Sequence, residues 1–368
     1  MKVNFLTENI QEKISLLGKT LPSHAPIPVL TSILIEATKE GLFLSATDLE
    51  FGITVQIPAK IEEEGGVLIP GKQFIEIINS LGKEKATFTQ EKDQMLLETQ
   101  TGTFKFQAMP KDEFPKMFEE KGEKIDEYTK EEFTAIFSRL TFAVSADTAR
   151  PHLTGIYIVK KEKEVHFVAT DGYRLSLVKT VREVGEEVLQ EGIIVSPQLI
   201  SEALSLKNAE KISLFVYKQG NQFILEADGV RLVGRLIEGV YPEYARVVPG
   251  SVGTTITVDV EEFLKIVRAV SVFARENANV VKVDIKNGTL TLSVPSTSIG
   301  EAESVLEGIQ EGPDGEISFN SKYLSDLLRV SEGKKIKVGI NSSFDPSLFT
   351  IPGEESFLHV IMPVKVQD

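Results

Sequence analysis

Leu30-Thr31-Ser32-Ile33-Leu34-Ile35 and, 123 residues later, Leu153-Thr154-Gly155-Ile156-Tyr157-Ile158 decide how this chain is read. The same offset carries Ala46-Thr47-Asp48 onto Ala169-Thr170-Asp171. A third copy appears further along. Val67-Leu68-Ile69-Pro70-Gly71-Lys72-Gln73-Phe74 aligns with Ile193-Ile194-Val195-Ser196-Pro197-Gln198-Leu199 and again with Ile317-Ser318-Phe319-Asn320-Ser321-Lys322-Tyr323. Phe114-Pro115 echoes Tyr241-Pro242, and Ala108-Met109-Pro110 echoes Ile361-Met362-Pro363. Self-similarity at a fixed period marks repeated structural units. Three units of about 123 residues fill the 368. Each is as large as an ordinary domain with its own core, unlike the short repeats of a solenoid. Glycine, proline and charge cluster near 111–127 and 238–257, so the expected domains are 1–120, 121–248 and 249–368.

Inside each unit the apolar period switches between 3.6 and 2. Phe133, Ile136, Phe137 and Leu140 lie on one helical face, as do Phe263, Ile266, Val267 and Val270. Thr129 with Glu131-Glu132 and Asp259 with Glu261-Glu262 read as caps with acidic first turns. Thr7-Glu8 opens the first unit in the same way, before Ile10, Ile14 and Leu17. A second helix follows from Phe74, Ile77, Ile78 and Leu81. Val281, Val283 and Ile285, then Asn287-Gly288, then Leu290, Leu292 and Val294 predict a tight hairpin. The fold class is therefore α+β: three similar tandem domains of helices and antiparallel sheets.

Composition narrows the function. Lys plus Arg total 40 and Asp plus Glu 54, a net charge of −14. A protein that coats nucleic acid with its whole surface would be basic, although a local basic face is compatible with an acidic total. The chain has no cysteine, which removes disulfides, thiolate metal sites and Cys nucleophiles. Its four histidines, His24, His152, His166 and His359, include no helical metal pair. No signal peptide opens the chain and no apolar run reaches the ~18–20 residues of a membrane span, so the expected compartment is the cytoplasm.

Gly66-Val67-Leu68-Ile69-Pro70-Gly71-Lys72-Gln73 nearly fits a phosphate loop. The intervening residues are an apolar strand, Pro70 has no N–H, and Gln73 replaces the magnesium-binding hydroxyl. Its counterparts in the other units lack Gly-Lys, so the segment reads as scaffold. Glu62-Glu63-Glu64 reads as a solvated turn. No nucleophile motif of the G-x-S-x-G kind is present. Asp171 could be catalytic, but Asp48 repeats it, and a recurring Asp at a strand end is a turn residue. The expectation is a protein without catalysis, metal or cofactor.

Two features point to partners. Lys265, Arg268 and Arg275 flank the apolar stripe of one helix, and Lys13, Lys72, Arg139, Lys207, Lys322 and Arg329 fall on the corresponding helices. A chain that is acidic overall but basic on one set of helices could contact phosphates without reading bases. The tail from Phe357 to Val366 is apolar almost to its end. It reads either as a docked edge strand, with Met362 and Pro363 lining a groove, or as a plain core strand.

Ala169-Thr170-Asp171-Gly172-Tyr173-Arg174-Leu175 adds a family likeness. Phe142-Ala143-Val144-Ser145, Arg150-Pro151-His152-Leu153-Thr154-Gly155, Tyr241-Pro242-Glu243-Tyr244, Phe319-Asn320-Ser321-Lys322-Tyr323-Leu324 and the terminal Met362-Pro363 extend it over the whole chain. The sequence resembles the sliding clamps of bacterial DNA polymerase III. That resemblance implies a processivity factor: a head-to-tail homodimer of six domains closed around double-stranded DNA, with helices lining the hole and sheets outside. It implies partners that insert a short apolar peptide between the second and third domains, namely the replicative polymerase, the clamp loader and repair proteins. The matching groove positions are Leu153, Thr170, Gly172, Tyr173, Arg174, Leu175, Leu177, Pro242, Val247, Val360 and Met362, with Pro363 and Val364 beside them. His24 matches a DNA-facing loop position and joins Lys13, Lys72, Arg139, Arg150, His152, Lys207, Lys265, Arg268 and Lys322 as candidate DNA-facing residues. Phe104, Val272 and Phe273 match the dimer interface, where apolar side chains suit a buried joint. Tyr173, Val364 and Lys365 stand where the family commonly has His, Met and Arg.

Overall fold

The computed structural model describes residues 1–22, 25, 27–116, 121–182, 189–298, 300–331 and 333–365. Part of the expected linker, 117–120, and His24 lie outside these. Among the described residues six α-helices recur as two per repeat: α1 (Thr7–Gly18), α2 (Gly71–Ser80), α3 (Lys130–Phe137), α4 (Pro197–Ser205), α5 (Val260–Ala274) and α6 (Ser321–Arg329). Their predicted faces supply the cores. Ile10, Ile14, Leu17, Phe74, Ile78, Phe133, Phe137, Phe263, Val267 and Val270 are all buried. Asp259 caps α5 by accepting from the backbone N–H groups of Glu261 and Glu262. Thr7 is different. It is the first helical residue, and its hydroxyl donates to the Gly82 carbonyl at 2.7 Å, tying α1 to the loop after α2. Gly71, the glycine of the phosphate-loop look-alike, serves packing: a Cβ there would lie 2.6 Å from Leu21. Asn287 and Gly288 both take positive φ, 50° and 76°, as a two-residue hairpin turn requires.

The chain divides into two compact units, Met1–Glu131 with Ser201–Leu236, and Glu132–Ile200 with Ile237–Asp368. The division cuts the middle repeat in half, for a reason visible in the sheets. In the first unit Phe51–Ile57 of the first repeat pairs antiparallel with Val230–Arg235 of the second, placing Ile53 opposite Leu232. One nine-stranded sheet results. In the second unit Arg174–Val181 of the second repeat pairs with Glu354–Ile361 of the third, placing Leu175 opposite Val360 and Leu177 opposite Leu358. A second nine-stranded sheet results. The apolar tail is therefore docked but is not an edge. It is hydrogen-bonded on both sides, because Ser347–Ile351 flanks it as well. Each unit has one smaller sheet. Thr103–Gln107 is one edge of the five-stranded sheet in the first unit, and Gly300–Glu307 is one edge of the four-stranded sheet in the second.

Side chains reinforce both joints. Lys13 Nζ donates to the carbonyls of Asp228, at 2.7 Å, and Gln56, at 3.3 Å. Arg139 is buried, forms an ion pair with Glu354 and lies over the Phe357 ring, 4.8 Å from its centroid. His359 is wholly buried, with Nδ1 2.7 Å from Ser176 Oγ across the second joint. Burial first, and the charge of Arg174 second, push its pKa down to about 3. An unfolded histidine titrates near 6.5. The unfolded chain therefore takes up the extra proton as pH falls. The His359 contribution is whole above about pH 6.5 and shrinks towards pH 3 by about 1.4 kcal/mol per unit. Urea midpoints at pH 7 and pH 5 should show wild type losing about 2 kcal/mol more than His359→Leu on acidification. Equal losses would contradict a histidine held neutral.

Candidate functional site

Strands Ile156–Lys161, Glu164–Thr170, Arg174–Val181 and Glu354–Ile361 run side by side in the second unit. Side chains alternate across a strand, so one face collects Val159, Val168, Leu175, Leu177 and Val360. With Leu153, Ile194, Tyr241 and Tyr244 they form one buried cluster, against which Tyr157, Ile237, Val248, Leu348 and Leu358 pack half-buried. Of the predicted groove residues, Leu153, Leu175, Leu177 and Val360 make this floor. Tyr173 (60% exposed), Val247 (40%) and Pro242 are exposed. Met362, Pro363 and Val364 are half-buried. The Met362 N–H donates to the Tyr173 carbonyl at 2.8 Å, which brings the tail to the turn that carries Tyr173.

That turn is built by its own sequence. Asp171 Oδ1 accepts from the N–H groups of Tyr173 and Arg174, each at 2.9 Å, and Thr170 Oγ1 donates to the Arg174 carbonyl. Asp48 and Thr47 make the same bonds in the first repeat, to Glu50, Phe51 and the Phe51 carbonyl. The carboxylates are turn formers in both. Gly172 takes φ +91°, and Leu49 holds the equivalent place at φ +80°. Arg174 is buried, and its guanidinium is fully engaged. Nε donates to Asp171 at 3.1 Å, one Nη to Asp326 on α6 at 2.8 Å, and the other to the Phe142 carbonyl. The Tyr323 and Phe142 rings lie 4.4 Å and 5.3 Å from it. Its role at this site is to hold the turn in place.

Sequence reasoning missed several neighbours. Tyr157 stacks on Tyr241 with ring centroids 4.6 Å apart. His166 joins Glu164 to the hydroxyl of Tyr244, whose pKa burial pushes up to about 12. The period-2 run of Glu164, His166, Val168 and Thr170 placed His166 on this face. Phe344, 67% exposed, lies beside Lys365, whose Nζ is 6.0 Å from the ring centroid. A lone aromatic in a polar loop gave no sequence signal.

The cationic candidates separate into two groups. Lys72, Lys207, Lys265, Arg268 and Lys322 are exposed and enter no ion pair among the described residues. Arg139 must be corrected, since its charge is spent on Glu354 inside the protein. Lys13 is likewise committed to two carbonyls. Arg150 bonds to Asp147 at 2.9 Å, and His152 packs where a Cβ on Gly239 would approach within 2.9 Å. The helices are not uniformly basic either: α1 exposes Glu12, and α3 exposes Glu131 and Glu132. The exposed cations sit on α2, α5, α6 and just past the end of α4, beside exposed Glu76 on α2 and Glu261 and Glu262 on α5. Among the interface candidates, Phe104 is half-buried on its edge strand, Val272 is half-exposed on α5, and Phe273 lies 3.5 Å from where a Cβ on Gly300 would sit. Among the described residues no cluster of metal-ligating side chains forms, and no helix is long and apolar enough to cross a membrane.

Family models for the N-terminal, central and C-terminal domains of the DNA polymerase III beta subunit match residues 1–118, 127–243 and 245–365 in turn. The chain belongs to the DNA polymerase III beta subunit family. As a member of this family of beta sliding clamps it is a processivity factor of DNA replication, not an enzyme, with DNA and a polymerase as partners. It is 27% identical to the beta sliding clamp of Staphylococcus aureus over 366 residues, covering 96% of this chain and 97% of that one. The Bacillus subtilis clamp structure is 26% identical with a TM-score of 0.92, covering 100% of both chains. The Bartonella birtlesii clamp, solved bound to griselimycin, shares the fold at a TM-score of 0.91 and 23% identity, again over 100% of both chains.

Proposed function

We propose that two copies of this clamp join head to tail into a closed ring that encircles double-stranded DNA, slides on it without reading sequence, and carries partners on the apolar groove. The sheet edges carry this reading. Inside the chain, the last strand of one repeat's sheet pairs antiparallel with the last strand of the next repeat's sheet, first at 51–57 with 230–235 and then at 174–181 with 354–361. By the same rule 300–307 of the third repeat should pair with 103–107 of a first repeat, which a second copy supplies. An uncovered edge is a ready template for another strand, and a heterologous joint that closes makes a ring. The chemistry is complementary: 103–107 carries Lys105, while 300–307 carries Glu301, Glu303 and Glu307. Domains of 1–120, 121–248 and 249–368 give each repeat both kinds of edge.

Lys72, Lys207, Lys265, Arg268 and Lys322 supply diffuse phosphate contacts, which hold a duplex without fixing its register. Retention then comes from closure. The groove of Leu153, Leu175, Leu177 and Val360, rimmed by Tyr173, Pro242, Val247 and Met362, takes a short apolar peptide from the polymerase catalytic subunit, the clamp loader and other partners in the cytoplasm. A clamp loaded on circular plasmid should stay bound through gel filtration and be lost once the plasmid is cut at unchanged salt. Equal retention on circular and linear DNA would overturn encirclement.

A further inference from the structure

We propose that His166 is a positioning residue of the peptide groove: it fixes Tyr244, and through Tyr244 the turn that carries Val247, against the apolar floor. The inference rests on the groove reading above and deepens it.

His166 lies two residues before Val168 on the same strand, so both side chains point to the floor face. Its ring is nearly enclosed, with its side chain 12% exposed. Nε2 is 2.9 Å from Glu164 Oε2, and Nδ1 is 2.7 Å from the Tyr244 hydroxyl. A carboxylate on Nε2 selects the tautomer with its proton there, which leaves the Nδ1 lone pair to accept the Tyr244 O–H. The same bond holds the Glu164 carboxyl below its usual range.

Apart from the apolar packing of Tyr244 and Val248, few bonds hold the turn. Tyr244–Val247 is one short 3-10 turn, and its backbone bonds are local: Tyr244 N–H to the Pro242 carbonyl and Arg246 N–H to that of Glu243. Two tyrosines fasten it to the sheet. Tyr241 stacks on Tyr157, and its hydroxyl reaches the Val168 carbonyl at 3.4 Å. Tyr244 meets His166 and Tyr157 edge-on, at 6.1 and 6.4 Å between centroids, and its hydroxyl has only His166 as a side-chain partner among the described residues. Without that acceptor a largely buried hydroxyl loses its partner, and the turn is left to Tyr241 and to the apolar packing of Tyr244 and Val248.

The test is titration of the full-length clamp with a fluorescein-labelled hexapeptide bearing leucine and phenylalanine side chains, read by anisotropy. His166→Ala and Tyr244→Phe should each weaken binding about five- to tenfold. The double variant should be no weaker than either single one, because both break one bond. His166→Asn, whose amide oxygen falls near the Nδ1 position, should recover most of the affinity, whereas a merely space-filling role would give no such rescue. Leu177→Ala is the control for the groove itself. If it weakens binding while His166→Ala and Tyr244→Phe match wild type, the groove stands and the role of His166 is overturned. If Leu177→Ala also matches wild type, the groove reading falls and this inference with it. Should His166→Ala fold poorly, Tyr244→Phe, which deletes a single oxygen, decides alone.

Discussion

Arg174→Ala should cost the second unit about 3–5 kcal/mol, the range for removing one partner of a buried ion pair. Three acceptors lose their donor together: Asp171, Asp326 and the Phe142 carbonyl. Asp171 keeps the two backbone N–H groups of its turn, but both carboxylates, 14% and 17% exposed, are left without a cation. Two rings, Phe142 and Tyr323, also lose the cation lying over them. Arg174→Lys should recover little, since an ammonium group cannot reach three acceptors in a planar fork. Hydrogen exchange along 354–361 reads the loss locally, because that strand closes the joint beside Arg174. Peptide binding should fall in parallel, the turn that carries Tyr173 having lost its anchor. Exchange rates equal to wild type would show that this network contributes nothing net.

The second large effect concerns assembly. Phe273→Asp should turn a dimer of about 81 kDa into monomers of 40.6 kDa in sedimentation. Phe104→Asp should do the same at the other edge. A head-to-tail joint uses a different surface from each copy, which makes a sharper forecast. Each single variant keeps one sound edge. Mixed at high concentration, the two should therefore regain one joint and form an open dimer. That dimer should not stay on circular plasmid, because its second joint carries both lesions. A mixture that remains monomeric, or a variant that still closes alone, would rule out the proposed pairing of 103–107 with 300–307.

Much of this was legible in the sequence because the repeat shows the same local solution three times. The helix faces around Phe74, Phe133 and Phe263, the Asp259 cap and the Asn287-Gly288 turn depend on neighbours a few residues away, and such signals survive in a one-dimensional reading. Leu175 and Val360 were named only by the family likeness, since neither carries a local signal that would join them. What failed was long-range. Arg139 reads as a solvated helix cation until Glu354, 215 residues on, is placed beside it. The tail reads equally well as an edge, because nothing near it announces that Arg174–Val181 lies along its other side. His166 could not be paired with Tyr244 from 78 residues away.

Shared sheets have a consequence for how the molecule can be divided. The middle repeat owns neither nine-stranded sheet; it lends four strands to each. Excised as 121–248, it would expose two raw borders of different kinds, each shaped to receive the other. Such fragments should not sit quietly as monomers. They should add end to end and close into rings of six repeats, because each joint turns through the same angle as the joints of the closed dimer.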